Sequence, residues 1–338
     1  MVAKIDSIRP LLQINFGSQA NATDDTLGKV AQVLVHPNTW QISHVVVQRG
    51  LFAKKLLALP IELVSEARVD GLEFSLTVDD LLQKAQNPKA NVLLLKEHLP
   101  VGNGSEKLGG LSQLFFDVET RRLAYLVIHR HSLAGGEVLL SVEQLGALQA
   151  DRLEVKVPAR EFAVLPHYRH DPELTEAVRQ TLWDFPRLRV DLGSVKVHAQ
   201  CNEVWLLGHV SSDTNRRLAE DQASVVTGVR AIHNELIADN ELAMEIAAAL
   251  GKHEETRGLP IGVYPDLGVV HLRGIVPTER ARQIAEEVAH SVIGAESVKN
   301  ELVISDKYEY LPALAGVNGK EDIVPGTEQS LANVKPTA

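Results

Sequence analysis

Paired histidines are the residues of this chain whose type and spacing most readily suggest chemistry. His129 and His131 in "IHRHS" lie two positions apart, so on a strand they would share one face, as two metal ligands must. No Asp or Glu stands close by to complete a site, and Arg130 separates the two rings. We therefore interpret them as a surface pair at the end of a strand.

A second pair has the spacing of metal ligands on a helix. His167 and His170 in "PHYRHDPE" are followed at once by Asp171. Pro166 and Pro172 bracket the segment, which is typical of a linker. We predict a solvated hinge that leads into a helix cap.

A glycine-rich loop could in principle hold phosphate. Gly102, Gly104 and Gly109 fall in "VGNGSEKLGG". However, no Lys-Ser/Thr follows them and no helix begins there, as a phosphate loop requires. The pattern instead predicts a hairpin loop.

Adjacent carboxylates and one thiol complete the reactive side chains. Glu254-Glu255 and Glu286-Glu287 occur in polar stretches, so we assign them to solvated faces rather than to acid/base pairs. Cys201 has no His and Asp arrangement near it in sequence, and we interpret it as a turn residue without a function. We predict no metal, no cofactor and no enzymatic activity.

One short segment has the chemistry of a partner-binding tip. "GLFAKKLLALP" at 50–60 places Phe52 beside Lys54 and Lys55, and an apolar and basic loop of this kind could touch a partner protein or a lipid interface. The alternative is a hairpin with its leucines in the core and its lysines in water.

The elements that position these residues recur along the chain. From Gly208 to Gly274 the offset is 66 residues, and the pairing runs without a gap. Thirteen identities result at Val204, Leu206, Gly208, Val210, Arg216, Ala219, Glu220, Ala223, Val226, Gly228, Asn234, Glu235 and Leu236. A repeat of this regularity indicates two copies of one module.

A weaker repeat with an offset of 81 residues occupies the first half. "TLGKVAQVLVHPNTWQISHVVV" at 26–47 aligns with "KLGGLSQLFFDVETRRLAYLVI" at 107–128. β-branched runs separated by turn residues predict a meander of short strands in each copy, and closely spaced strands favour small barrels.

The second pair of copies alternates helix and strand patterns. "DPELTEAVRQTLW" has an Asp cap, a Pro at the first helical position, and Leu174, Val178 and Leu182 on one face. Two strands, a helix at 213–226 with Leu218 and Val225, and a closing strand follow. The copy predicts a helix at 279–292 with Ile284, Val288 and Val292 on one face. Each copy thus reads helix, strand, strand, helix, strand.

The phrase "G-V-x-x-(I/V)-x-N-E-L" ends both of these copies. Gly228 and Gly294 are predicted to end a helix in the left-handed conformation that glycine tolerates. Asn234 and Asn300 are predicted to begin the closing strand, where an amide side chain commonly satisfies backbone groups. Since both copies carry the phrase, we expect Gly208, Gly274, Gly228, Gly294, Asn234 and Asn300 to serve the fold.

The residues of both repeats resemble known families. "LGKVAQVLVHPNTWQISHVVVQRGLFAKKLLALPIELV" resembles the PRC-barrel, through Leu-Gly-Lys-Val, two apolar strands around a turn, and Leu-Pro-x-Glu. Its copy has Gly110 for the Lys and Ser141 for the Pro. "VWLLGHV" and "VHLRGIV", with the Asn-Glu-Leu endings, resemble two BON domains, a bacterial module of osmotic-shock and nodulation proteins.

These resemblances imply functions without naming a reaction. PRC-barrels are implied to dock other proteins, and BON domains are implied to associate with phospholipid or, in one cytoplasmic context, to bind potassium. Neither family supplies catalytic residues to transfer to this chain. Such implications are associations between fold and function.

Composition and charge limit the partners. The net charge is −10 at pH 7, and residues 166–306 contain 14 basic against 22 acidic side chains, which disfavours nucleic acid as a partner. One cysteine excludes an intramolecular disulfide. "MVAKIDSIRPLLQINFG" lacks the apolar run of a signal peptide, so we expect the cytoplasm.

The sequence therefore predicts a multidomain protein made of two small all-β barrels and two α+β modules. The predicted ranges are 1–86 and 92–165 for the barrels, 171–239 and 240–306 for the modules, and 307–338 for a flexible tail. We expect a non-enzymatic bacterial scaffold or adaptor whose barrels dock a protein partner. The alternative is a peripheral phospholipid-associated or potassium-sensing protein that acts through its BON-like half. Partner identity and oligomeric state stay open.

Overall fold

A computed structural model describes residues 11–50, 55–68, 70–86, 92–131, 135–149 and 151–305. The described residues form two compact units, which divide between Glu241 and Leu242. The predicted tail at 307–338 lies outside the described residues. In the part of the chain that is described, no helix is both long and apolar enough to cross a membrane.

Strands dominate the first half, and helices alternate with strands in the second. The strands are β1 Leu11–Asn15, β2 Gln19–Asn21, β3 Thr26–Val35, β4 Ile42–Arg49, β5 Lys55–Pro60, β6 Val64–Arg68, β7 Gly71–Phe74, β8 Leu93–Lys96, β9 Pro100–Asn103, β10 Glu106–Asp117, β11 Leu123–Arg130, β12 Glu137–Ser141, β13 Leu145–Gln149, β14 Arg152–Val155, β15 Val195–Gln200, β16 Glu203–Val210, β17 Ala231–Ala238, β18 Ile261–Asp266, β19 Val269–Val276 and β20 Ser297–Ile304. The helices are α1 Val78–Lys84, α2 Ala159–Val164, α3 Asp171–Asp184, α4 Asp213–Ser224, α5 Asp239–Lys252 and α6 Glu279–Ser291.

The first half folds into two seven-stranded sheets of the same topology. The first sheet has the order β5-β4-β3-β2-β7-β6, and β8 pairs with β3. The second sheet has the order β12-β11-β10-β9-β14-β13, and β1 pairs with β10. We call these the first and the second sheet module. The predicted short strands are confirmed in both copies, and β2–β5 and β9–β12 form the predicted meander, whereas β7 and β14 return to pair in parallel with β2 and β9.

The two sheet modules exchange one strand, which the predicted boundaries at 86 and 92 do not anticipate. β1 joins the second sheet, where Asn15 lies opposite Gln113, and β8 joins the first, where Lys96 lies opposite Gln32. Both residues of one pair lie 81 positions from those of the other, which is the offset of the repeat. Because β3 and β10 are repeat equivalents, each offers the same pairing positions, and the sequence of a short strand does not reveal which of them it joins.

An approximate twofold relates the two sheet modules. Gln41 and Arg122, which are repeat equivalents, form an isolated bridge with each other. Beside it, Ile42 N–H donates to Arg121 O at 2.8 Å, and Leu123 N–H donates to Trp40 O at 2.9 Å. One buried apolar core spans both modules, from Ile14 and Leu59 to Leu126 and Leu140. The pair is therefore built like a dimer within one chain.

The first α/β module occupies the end of the first unit. Its sheet has the order β15-β16-β17, in which β16 and β17 run parallel. Helix α3 begins at Asp171 with His170 as its N-cap, and buries Leu174, Val178 and Leu182. These three were the predicted apolar face, whereas the predicted Asp cap is in fact the first helical residue.

The second helix of each α/β module buries a different face from the one predicted. Helix α4 buries Asn215, Ala219 and Ala223, while Val225 is 72% exposed beyond its end. Helix α6 buries Ala281, Ala285 and Ala289 instead of placing the larger Ile284 and Val288 at the centre. Small residues let the helix approach the sheet closely, so the larger apolar residues flank the contact.

The second unit contains the copy of this module. Its sheet has the order β18-β19-β20, with β19 and β20 parallel. Its buried residues include Leu250 on α5 and Val270 and Leu272 on β19. The helix-strand-strand-helix-strand order predicted for both copies is confirmed.

Candidate docking site

The second sheet module and the first α/β module meet through a buried apolar contact within the first unit. Phe115 and Val127 project from β10 and β11, and they pack with Tyr168 and Cys201 from the α/β side. All four are buried, and the rings of Phe115 and Tyr168 meet edge to face with centroids 6.1 Å apart. A sheet whose outer face is apolar needs such a cover.

Charged and aromatic groups surround this contact. Arg230 donates from Nη2 to the Tyr125 hydroxyl at 3.0 Å and lies over the Tyr125 ring, 5.3 Å from its centroid. Glu203 forms an ion pair with Arg230 and a hydrogen bond with His233 Nε2 at 2.8 Å. Burial alone would raise the pKa of Glu203, but hydrogen bonds from His233 and Arg230 hold it below the ordinary value. The ring of His233 stacks on Trp205 at 4.5 Å.

The connecting segment leads into a helix cap as predicted, with His167 exposed and His170 at the N-cap of α3, but Tyr168 between them is buried and not solvated. Tyr168 is buried, and its N–H donates to Glu137 O at 2.7 Å. Asn202 Nδ2 donates to His167 O at 2.9 Å. Cys201 N–H donates to Asp171 Oδ1 at 2.8 Å, and burial raises the pKa of Asp171 to about 7 against this hydrogen bond. These hydrogen bonds tie the segment to both modules.

Cys201 is more than a turn residue. It has a positive φ of 52° at the β15–β16 turn, and its side chain is buried in the contact. Burial raises the pKa of its thiol, and the neighbouring Asp171 acts in the same direction. A thiol held in the protonated form is a poor nucleophile, so Cys201 acts here as a small apolar side chain.

A cleft of about 390 Å³ lies beside the contact. Its walls come from the second sheet module at Leu11, Asp117, Thr120, Arg122, Leu123, Ala124, Tyr125, Ser141, Val142 and Glu143, and from the β15–β16 hairpin at Gln200, Cys201, Glu203 and Trp205. We call it the closed groove. Gln200 Nε2 donates to Leu11 O at 3.2 Å across it.

A larger cleft of about 750 Å³ belongs to the first sheet module. Its walls are His36, Gln41, Ile42, Ser43, His44, Pro60, Glu62, Gln86 and Val92, together with Glu119, Thr120 and Arg121 from the facing turn. We call it the open groove. Arg121 and Glu62 form an ion pair at its rim.

The predicted tip of the first sheet module is described only in part. Lys55 begins β5 and is exposed. Phe52 and Lys54 lie outside the described residues. A partner-binding role for Phe52, Lys54 and Lys55 therefore stays a prediction.

The repeated glycines of β16 and β19 lie in close contact with the backbone of the preceding strand or loop. Gly208 has a φ of +108° and Gly274 a φ of +141°. A Cβ added to Gly208 would overlap Ser194 O, and one added to Gly274 would overlap Pro260 O. Both copies therefore require glycine at this position.

The Asn-Glu-Leu phrase lies in mid-strand rather than at a strand start. β17 begins at Ala231 and β20 at Ser297, three residues before each asparagine. Asn234 Nδ2 donates to Arg216 O at 3.0 Å, and Asn300 Nδ2 donates to Arg282 O at 2.8 Å. Each amide thus ties the closing strand to a helix carbonyl.

Gly228 and Gly294 adopt the predicted left-handed conformation, but in the turn after each helix and not at the helix end. Gly228 and Gly294 have φ near +100°, at 102° and 101°. Helices α4 and α6 end earlier, at Ser224 and Ser291, so the glycines belong to the turn that follows rather than to the helix cap. Val225 and Val292 stand at the caps because a short tight turn continues past each helix.

The paired histidines and the glycine-rich loop show no arrangement for chemistry in the described residues. His129 and His131 are exposed, and Arg130 between them points inward to donate to Phe162 O and Leu165 O. Gly104 lies in the β9–β10 hairpin, as predicted. Within the described ranges, no group of three or more His, Cys, Asp or Glu side chains is arranged to hold a metal ion.

The sequence interpretation missed the contact residues Tyr125, Glu203 and Arg230. Tyr125 comes from the second sheet module, whereas Glu203 and Arg230 come from the first α/β module, so no spacing along the chain connects Tyr125 to them. A signal did exist in "QLFFD" and "YLVIH", where apolar residues occur on both faces of a strand and indicate burial on both sides.

Comparison with known proteins identifies the α/β modules. Residues 170–240 and 238–306 each match the model of the BON domain, so this part of the chain consists of two BON domains. None of the curated proteins matches the chain.

Solved structures of CdsD, a structural protein of the type III secretion system of Chlamydia trachomatis, are similar to part of the chain. One is 18% identical with a TM-score of 0.32, over 39% of this chain and 61% of that chain. Its C-terminal domain is 18% identical with a TM-score of 0.32, over 40% of this chain and 66% of that one. The matched region thus spans less than two thirds of either CdsD chain.

Proposed function

We propose that the protein is a non-enzymatic scaffold or adaptor whose two N-terminal sheet modules dock protein elements. One observation carries this proposal: the second sheet module already holds a BON domain through the Phe115–Tyr168 contact and the Tyr125–Arg230–Glu203 contacts. An apolar centre with a charged and aromatic rim is the usual anatomy of a protein interface. The proposed setting is the bacterial cytoplasm.

We further propose that both sheet modules are PRC-barrel domains. Their Leu-Gly motif has a common structural reason, since a Cβ added to Gly28 would overlap Gln48 O and one added to Gly109 would overlap His129 O. Both contacts are repeat equivalents. This close approach of neighbouring strands supports a shared domain type.

Two groups at the contact favour a role without catalysis. Burial raises the pKa of both Tyr168 and Cys201. A tyrosine or cysteine that acts as a nucleophile or a general base at neutral pH requires the opposite direction. The site is suited to packing.

Affinity purification of the full chain with cross-linking tests the scaffold proposal. We expect a protein that co-purifies in stoichiometric amount. The double variant Lys54→Glu/Lys55→Glu tests the predicted tip, and loss of the partner would assign binding to Phe52, Lys54 and Lys55. Recovery of no partner above an untagged control would contradict the scaffold proposal.

Phospholipid association is the second candidate, and one surface favours it. Trp183 and Val190 are 55% and 80% exposed in the first BON domain. Between them, Arg189 lies over the indole of Trp183, 5.9 Å from the ring centroid. An exposed aromatic and an aliphatic side chain beside a cation suit a lipid interface.

Vesicle flotation separates this candidate from the first. Binding to anionic vesicles that is lost in Trp183→Ala would support it, and Met244→Ala, another exposed apolar position, is the control. Calorimetry with potassium tests the ion-sensing form of the same candidate. No flotation and no heat of binding would exclude both forms.

A further inference from the structure

Strand β15 forms one edge of the sheet of the first BON domain, which has the order β15-β16-β17. In an antiparallel pair, the backbone groups of successive residues point alternately toward the neighbouring strand and away from it. Ala199 N–H donates to Thr175 Oγ1 of helix α3 at 3.1 Å, so it points away from β16. Val197 and Val195 lie two and four residues before Ala199. Their N–H and C=O groups therefore point to the same open side.

Helix α3 covers only one end of this edge. Thr175 accepts from Ala199 N–H, and Asp171, one helical turn earlier, accepts from Cys201 N–H at 2.8 Å. Among the described residues, no side chain does the same for the two valines. The edge is thus capped near the β15–β16 turn and open at the start of β15, where an added strand could pair with it.

A groove of about 390 Å³ lies between the open end of β15 and helix α3. The apolar part of its wall consists of Leu182, Trp183, Leu192, Val195 and Val197. We call it the edge groove. Because every second side chain of a strand points to the same face, a strand paired with β15 would place alternate side chains in this groove.

We propose that β15 accepts an extended segment of a partner protein as a further strand, with apolar side chains in the edge groove and an acidic side chain beside Lys196. Backbone pairing supplies affinity in this mode of recognition, and the alternate side chains supply specificity. The inference goes beyond the proposed function, because it places a second docking surface on the first BON domain.

The charge beside the open edge favours an acidic strand. Lys196 lies between the two valines, is exposed on the opposite face of β15, and has no ion pair among the described residues. Opposite charges on neighbouring strands stabilise their pairing, and like charges destabilise it. A second copy of this chain fits less well, since the register that bonds both valines of both copies sets the two Lys196 side chains opposite each other.

The equivalent edge of the second BON domain is less open. Strand β18 carries Pro265 at the position of Ala199, and proline on an edge strand offers no N–H to an incoming strand. Ile261 N–H donates to Leu259 O at 2.8 Å. Of the outward N–H groups of β18, all of whose residues are described, this leaves that of Val263. The second BON domain therefore supplies a matched control.

A labelled peptide of alternating valine and glutamate, as long as β15, is the probe, titrated into the full chain by fluorescence anisotropy. We expect saturable binding, at least about tenfold weaker in Val197→Pro, a loss of ~1.4 kcal/mol. This substitution removes an N–H that points away from β16, so the pairing of β15 with β16 is kept. Val263→Pro, the same change at the equivalent position of β18, should bind like the wild type.

A charge reversal tests the inference without changing the backbone. Lys196→Glu alters an exposed side chain, so the fold is kept even where Val197→Pro disturbs it. We expect this variant to bind the valine–glutamate peptide at least about threefold more weakly than the wild type does. A peptide of alternating valine and lysine should show the opposite preference.

Three results would overturn the inference. They are no saturable binding at about millimolar peptide, where an interaction of only ~4 kcal/mol would register, equal binding by the wild type, Val197→Pro and Lys196→Glu, and self-association of the chain that Val197→Pro abolishes. Each leaves the scaffold proposal intact, because docking on the sheet modules uses other contacts. Vesicle flotation needs no backbone N–H, so a loss confined to peptide binding in Val197→Pro separates this inference from lipid association.

Discussion

Individual residues at the hinge show how burial sets protonation. Asp171 lies at the start of α3, and burial raises its pKa from 3.8 to about 7. Because the folded carboxyl holds its proton more tightly than the unfolded one, its contribution to stability is fully present below about pH 4. That contribution is lost as the pH rises through about 7.

Asp171→Asn should therefore flatten the pH dependence of unfolding. The variant keeps an oxygen to accept from Cys201 N–H but does not titrate. We expect the urea midpoint of the wild type to fall relative to the variant between pH 4 and about 8, measured by tryptophan fluorescence. Asp184→Asn, at the exposed end of the same helix, is the control. Parallel profiles of the wild type and Asp171→Asn would contradict this assignment.

The hydrogen bonds of the repeated asparagines, Asn234 and Asn300, should contribute measurably to the free energy of unfolding. Asn300→Ala leaves Arg282 O without its amide donor, so we expect the second BON domain to lose about 1–2 kcal/mol of unfolding free energy. Lys299→Ala, the exposed neighbour on β20, should change stability little. Denaturant unfolding of the two variants makes the comparison, and equal stabilities would argue against the amide tie.

At the scale of elements, β16 and β19 depend on glycine. Gly274→Ala should cost about 1–3 kcal/mol, because its φ of +141° is strained for alanine and the new Cβ overlaps Pro260 O. Gly251→Ala is a matched control, since it lies in helix α5 with open space around it. That substitution should stabilise the helix by about 0.5–1 kcal/mol. Thermal unfolding that moved both variants in the same direction would contradict this reasoning.

The exchanged strand β1 gives a second prediction at this scale. A chain that begins at Gly17 lacks β1, so β10 loses one of its neighbours while β3 keeps β8. We expect faster amide hydrogen exchange in β10 and unchanged protection in β3. A chain that begins at Leu11 keeps β1 and serves as the control. Faster exchange in β3 instead would mean that β1 belongs to the first sheet.

Element type followed from the sequence wherever periodicity was strong. The apolar face of α3 at Leu174, Val178 and Leu182 was predictable because one helix face packs on one sheet. The buried alanine face of α6 was not predictable. The short distance between the helix and the sheet selects small residues there, and hydrophobicity alone does not reveal that distance. The exchange of β1 and β8 was also not predictable from the sequence, because either strand could pair with β3 or with β10.

The docking contact was predictable only in part for a similar reason. Two-sided apolar strands at Phe115 and Val127 indicate that something covers the second sheet. The partner side chains Tyr125 and Arg230 lie 105 positions apart, so only the folded chain brings them together.

At the scale of the whole molecule, the chain joins a near-neutral pair of sheet modules to an acidic pair of BON domains. Residues 1–165 contain 17 basic and 18 acidic side chains. A partner of the sheet modules therefore needs no strong opposite charge, and shape and apolar contact decide the fit. The account predicts that such a partner docks on the sheet modules.

Photo-crosslinking in cells tests this claim most directly. A photoreactive residue replaces Glu119, an exposed position of the second sheet module that lines the open groove, or Asp184, an exposed position at the end of α3 in the first BON domain. The account predicts an adduct with a partner protein from position 119, and none with that protein from position 184. Identical adducts from both positions, or none from position 119, would contradict it.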